Sequence, residues 1–246
     1  MANIFANLAE QYDENEANVD KLPSESGGSF VRDTDIYEAV IKVAYQTQSQ
    51  HSKASAVSFI FELNDGKEYK ETIWITNKDG LIKWTNKDGK KCVMRKFYLV
   101  DNLCQVTTEK GLPAQTTEEK QVKIWNPQAK QEEPTLVPVL TDLIGKKVLL
   151  AITKSKVNKQ KKEGDEYVKT NEETFENEIV NVMHHSLKCT YTEAKDKKVP
   201  MGTYYNTFIE KEKGVVYDKF KQVSGSPAAA SSSSAPVKTH TSLFDK

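Results

Sequence analysis

The sequence predicts a mainly β domain, a meander or small barrel of short strands, and three observations carry that prediction. Apolar residues alternate at period two through Tyr37, Ala39, Ile41, Val43 and Tyr45, and again at Val57, Phe59 and Phe61. Asp-Gly turn signals recur at Asp65-Gly66, Asp79-Gly80 and Asp88-Gly89. The candidate strands are spaced about ten residues apart, as in sheets built from hairpins.

The elements follow in order. Residues 37–45, 57–61, 67–76 and 81–85 read as successive strands. Phe97 to Gln105 predicts a helix, because Leu99, Val100, Leu103 and Cys104 recur on one helical face. Pro138 to Ile144 predicts a second, with Leu140, Leu143 and Ile144 together, Pro near the start and Gly145 as the stop. A strand at 148–157, a polar hairpin at 158–166, a strand at 178–183 and a helix at 204–213 complete the body. Composition sets the boundaries. Residues 1–29 are an acidic, flexible leader, 30–222 the folded body, and 223–246 a disordered Ser/Ala/Pro-rich tail ending in the apolar pair Leu243-Phe244.

Of the 246 residues, 37% are hydrophobic and 28% charged, which excludes a wholly disordered chain. No run approaches the roughly 18 apolar residues of a membrane span. The N-terminus lacks the basic and apolar regions of a signal peptide. Cys92, Cys104 and Cys189 are odd in number and match no disulfide or metal spacing, which fits a reducing compartment. Lys+Arg and Asp+Glu are 35 each, so the net charge is zero, but the charges are segregated. Residues 1–35 carry eight acids against Lys21 and Arg32. Residues 81–100 hold six basic residues against Asp88 alone, and 146–162 hold seven lysines and no acid. Only Arg32 and Arg95 are arginines, so the basic surface suits phosphate contact better than bidentate base reading.

Within 67–76, Tyr69, Ile73 and Ile75 share one strand face, while Lys70, Thr72, Trp74 and Thr76 share the other. Near Trp125 the pattern repeats, with Val122 and Ile124 on one side and Lys123 and Trp125 on the other. A covering hairpin or helix is the bland explanation for either Trp. An aromatic among lysines also suits stacking on unpaired bases, with the lysines on phosphates, at about 1–3 kcal/mol per base and without sequence preference. Lys83-Trp84, Lys91 and Arg95-Lys96 repeat the interleaving. The candidate DNA-binding set is therefore Lys70, Trp74, Lys83, Trp84, Lys91, Arg95, Lys96, Lys123, Trp125, Lys154 and Lys156. Catalytic signals are weak: there is no GxGxxG, GxxxxGK[ST] or GxSxG motif. His184 and His185 point to opposite faces of a strand, so no metal site is expected. The expectation is a non-enzyme without cofactor.

Several runs resemble the single-stranded-DNA-binding proteins of tailed bacteriophages. These are 36–45 (Ile36-Tyr37-Glu38-Ala39-Val40 onward), Asp65-Gly66-Lys67, 71–77 around Trp74, Gly89-Lys90-Lys91, Val100-Asp101-Asn102-Leu103-Cys104 and 137–146 around Pro138. The Ala/Ser/Pro/Lys tail and the Ser242-Leu243-Phe244 tip fit the same family. The resemblance implies an OB-fold-like barrel with short helices and insertions, and single-stranded DNA as partner. It also implies work in phage DNA replication, recombination and repair in the cytoplasm of the infected bacterial host. Leu243 and Phe244 would dock phage or host replication and recombination proteins. Bacterial housekeeping members end in a strongly acidic tip; here Lys238, Asp245 and Lys246 share the last nine residues. The alternative function is a protein-interaction scaffold of a replication or transcription complex.

Overall fold

A computed structural model describes residues 31–223, apart from 127, 128, 165, 198 and 199. The predicted leader 1–29 and all of the predicted tail 223–246 but Val223, with Leu243 and Phe244, lie outside the described residues. The body is mainly β. Strands β1 (Asp35–Gln48), β2 (Ser55–Leu63) and β3 (Glu68–Trp74) form an antiparallel meander. The hairpin turn between β2 and β3 needs a left-handed residue, and Gly66 supplies it at φ 76°. A small two-stranded sheet, β4 (Lys83–Thr85) and β5 (Lys91–Val93), leads into helix α1 (Arg95–Thr108). The hairpin of β6 (Thr117–Asn126) and β7 (Gln131–Leu140) joins β1 through the pair Tyr45–Val139. A long ribbon of β8 (Lys147–Glu163) and β9 (Glu166–His184) flanks the other half of β1. Short helices α2 (Tyr191–Lys195) and α3 (Thr203–Lys211) follow, and β10 (Val216–Asp218) runs parallel to β8.

The core lies between the inner face of this curled sheet and α1. Ile41, Phe59, Phe61, Ile73, Leu150, Ile152 and Ile179 meet Val100, Leu103 and Cys104 of the helix. Phe59 and Phe61 stack with ring centroids 5.2 Å apart. Strand β8 is covered on both faces, because Leu149 and Ala151 pack with Met183 and with Phe208 of α3. That double burial explains the unbroken apolar run at 148–152.

Among the described residues no strand pairing joins β3 to β9, so the sheet is not closed into a barrel. A side chain spans the gap instead. The Glu71 carboxylate on β3 accepts a hydrogen bond from the Ile179 amide of β9 at 3.0 Å and one from the Tyr69 hydroxyl at 2.7 Å. Burial pushes Glu71 above the ordinary carboxylate range, against the hydrogen bonds from Tyr69 and Ile179.

Two expectations need correction, and one element was not foreseen. The alternation of β1 does not run through to Tyr45: the register shifts between Ile41 and Val43, and Ala44 takes the next core position. A bulge adds one residue and reverses every face beyond it. The helix expected at Pro138 to Ile144 is the end of β7 followed by a single 3-10 turn, Thr141–Leu143. The polar hairpin expected at 158–166 is present, as the end of the longer β8–β9 ribbon, with its tight turn at Gly164. Finally, α2 was missed, although Thr190 and Glu193 form a complete capping box that starts it.

Candidate nucleic-acid interface

The inner face of β3 buries Tyr69 and Ile73, which turns Lys70, Thr72 and Trp74 outward, and Trp74 is 42% exposed. On the β6–β7 hairpin, Trp125 stands directly across from Glu132 and Lys123 across from Pro134. Opposed residues of an antiparallel pair share a face. Lys123 and Trp125 therefore lie together, and Trp125 is 59% exposed. One ion pair joins the two faces: Lys70 Nζ sits 3.2 Å from Glu132 Oε1, with Glu68 at 3.6 Å. Burial is the largest single influence and acts to lower the Lys70 pKa, but the hydrogen bonds and charges of Glu132 and Glu68 together raise it. Residues 62 apart in sequence thus place two exposed tryptophans on either side of one charged pair.

The β4–β5 hairpin departs from expectation. Trp84, 50% exposed, lies across from Cys92. Lys83 and Lys91 occupy the opposite face with Val93 and Thr85. The lysines next to Trp84 in sequence are not beside its ring face. Three residues beyond Cys92, α1 begins, and Lys96 Nζ reaches Glu178 Oε1 at 2.7 Å. Burial acts to raise the Glu178 pKa, but the Lys96 and Lys219 ammonium groups together hold the carboxyl below its usual range. Arg95 donates a long hydrogen bond, 3.4 Å, to the Val180 carbonyl.

On β8, Lys154 and Lys156 point away from Thr153 and Ser155 by strand alternation. Lys154 Nζ contacts Asp33 at 3.0 Å and lies 5.2 Å from the ring centre of Phe175. Lys156 contacts Asp218 at 2.9 Å and Glu173 at 3.2 Å, and lies 5.8 Å from the ring centre of Phe220. Its hydrogen bonds to Asp218 and Glu173 raise the Lys156 pKa. Phe175 is 43% exposed and is the aromatic that sequence reasoning missed. It could have been found by the reasoning applied to Trp74, since its neighbours Thr174, Glu176 and Asn177 are all polar.

The contacts gather the candidates into three groups: Lys70, Trp74, Lys123 and Trp125; the β4–β5 hairpin with the start of α1; and the β8 lysines with Phe175. Lys70, Lys96, Lys154 and Lys156 have carboxylate partners. Among the described residues Lys83, Lys91 and Lys123 form no ion pair. An exposed ion pair contributes about 0.2–1 kcal/mol, so a phosphate can displace such a carboxylate at small cost.

No group of three His, Cys, Asp or Glu among the described residues is placed to hold a metal ion. The His184 ring accepts the Ser186 and Leu187 amides at 3.2 Å, which ties it into the turn after β9. Burial pushes the Cys104 thiol up to about 12, far from the range of a nucleophile. No described helix is long and apolar enough to cross a membrane. No family model, curated protein or solved structure matches the chain.

Proposed function

We propose that this chain binds single-stranded DNA in a sequence-tolerant way, by stacking bases on exposed aromatics and meeting phosphates with lysines. The observation that carries this reading is the pairing of Trp74 and Trp125, both exposed, around Lys70 on two strand faces joined by the Lys70–Glu132 contact. A rigid sheet face gives stacking surfaces at fixed separation, and every base has a π-face to offer. The antiparallel β1–β3 meander, with its bulged first strand, fits an OB-fold-like body that binds oligonucleotides across β2 and β3. The resemblance to phage single-stranded-DNA-binding proteins supports a role in replication, recombination and repair inside the infected cell. It also supports a docking role for Leu243 and Phe244.

A second reading has its own support. Four of the candidate lysines already hold acids, and exposed Trp is also the signature of a protein-docking surface. On that reading the body is a scaffold for replication or transcription proteins. Titrating tryptophan fluorescence with oligo(dT) separates the two: quenching that weakens steeply with salt supports DNA binding, and an unchanged spectrum supports the scaffold.

A further inference from the structure

A cavity of about 380 Å³ lies on the α3 side of the β8–β9 ribbon, apart from the exposed tryptophans. Its floor is β8, its walls are the rings of Tyr204, Phe208 and Tyr217, and Arg95 and Glu178 are among its polar lining. Ser155 on the floor is 1% exposed, and its Oγ has no hydrogen-bond partner. A buried hydroxyl without a partner is destabilising, and native folds rarely keep one. Neighbouring polar groups are already engaged: Tyr217 donates to Glu212, and Thr153 to the Glu178 carbonyl at 3.4 Å.

We propose that this cavity receives one amino-bearing nucleobase of the bound strand, with Ser155 Oγ as its buried polar contact. The proposal rests on the single-stranded-DNA reading and deepens it. The size falls within the range of small-ligand pockets, about 300–1,000 Å³, and holds one unit of the strand. The aromatic lining suits a flat ring: Tyr204 and Phe208, neighbours on α3 with ring centres 6.0 Å apart, form one apolar face. The polar lining offers both signs. The Glu178 carboxylate, paired with Lys96 at 2.7 Å and with Lys219 at 3.5 Å, accepts from an exocyclic amino group, and Arg95 donates to the ring nitrogen or carbonyl beside it. Cytosine, adenine and guanine present that donor–acceptor edge, and thymine has no amino group. Arg95 begins α1 directly after the β4–β5 hairpin, so a strand stacked on Trp84 has a short path to the cavity.

The test uses the full chain and its Ser155→Ala variant. Both are titrated with oligo(dT) and with the same oligonucleotide carrying a single dC, and melted with and without millimolar dCMP or dTMP. The expected wild-type result is about fivefold tighter binding of the dC-bearing strand than of oligo(dT), lost in Ser155→Ala while oligo(dT) affinity is kept. Without nucleotide, Ser155→Ala melts at the same temperature or higher, because an unpartnered buried hydroxyl has been removed. Equal wild-type affinities for the two strands, or a dC preference that survives Ser155→Ala, overturns the pocket while leaving general DNA binding intact. If neither strand binds, the DNA reading fails, and the melts decide the cavity alone: a rise with dCMP but not dTMP, absent in Ser155→Ala, supports a nucleobase pocket, and no rise overturns it.

Discussion

Trp125→Ala tests stacking where a structural role is smallest, since this is the most exposed of the tryptophans at 59%. A fully buried aromatic covers about 150–250 Å², so the remaining two fifths amounts to roughly 60–100 Å². At about 25 cal/mol per Å², and allowing for surface already covered in the unfolded chain, truncation costs about 1–2 kcal/mol of stability. For a chain of this size that lowers the melting temperature by roughly 2–8 °C. A core Trp would cost about 3–5 kcal/mol. Loss of one stacked base should weaken oligo(dT) binding by about 1–3 kcal/mol, roughly 5- to 150-fold. Fluorescence anisotropy of a labelled oligo(dT) at fixed salt measures the affinity, and a thermal melt the stability. Unchanged affinity with a core-sized loss of stability would show that Trp125 serves packing and that the stacking argument is wrong.

The other predictions concern charge, pH and the tail. Glu132→Gln removes the nearer of the two carboxylates on Lys70 and should tighten oligo(dT) binding by about 0.2–1 kcal/mol; weaker binding would mean that Glu132 orders the site instead of competing for it. Burial raises the folded-state pKa of Glu71 above its ordinary 4.5, so the folded chain holds that proton more tightly than the unfolded one. Its contribution is full below 4.5 and is lost as pH rises through the raised value; Glu71→Gln should flatten that part of the melting profile. Asp65 behaves oppositely, because the hydrogen bond from Arg32 lowers its pKa: its contribution is present above the ordinary 3.8 and lost as pH falls through the folded value. Asp65→Asn should remove that acid limb in the same melts. Deleting 224–246 should leave oligo(dT) affinity equal or slightly higher and abolish capture of replication proteins; loss of DNA binding would place the tail in the DNA site.

The β3 face was legible because alternation between one buried and one solvated side leaves a direct mark in sequence. The bulge after Ile41 leaves none, since Lys42-Val43-Ala44 reads as continued alternation until pairing with β2 fixes the register. Leu140, Leu143 and Ile144 mimic a helical face, yet β6 holds the chain extended as far as Leu140. The outer β8–β9 ribbon exposes most of both faces, which removes the polar–apolar contrast that announces a strand. At the candidate site the tryptophans could be read from their polar strand neighbours. The carboxylates paired with the lysines could not, because Glu132 and Glu178 reach Lys70 and Lys96 only through the fold. The cavity beneath α3 was equally hidden, assembled as it is from β8, β9, α3 and the chain around β10.

The central claim is tested most directly by titrating the full chain with oligo(dT) at a series of salt concentrations while following tryptophan emission. Saturable quenching is predicted, with log K falling linearly against log salt at a slope of about −0.7 per phosphate neutralised. A slope shallower than one phosphate, or unaltered emission at the lowest salt, would contradict it and leave the exposed tryptophans to a protein partner.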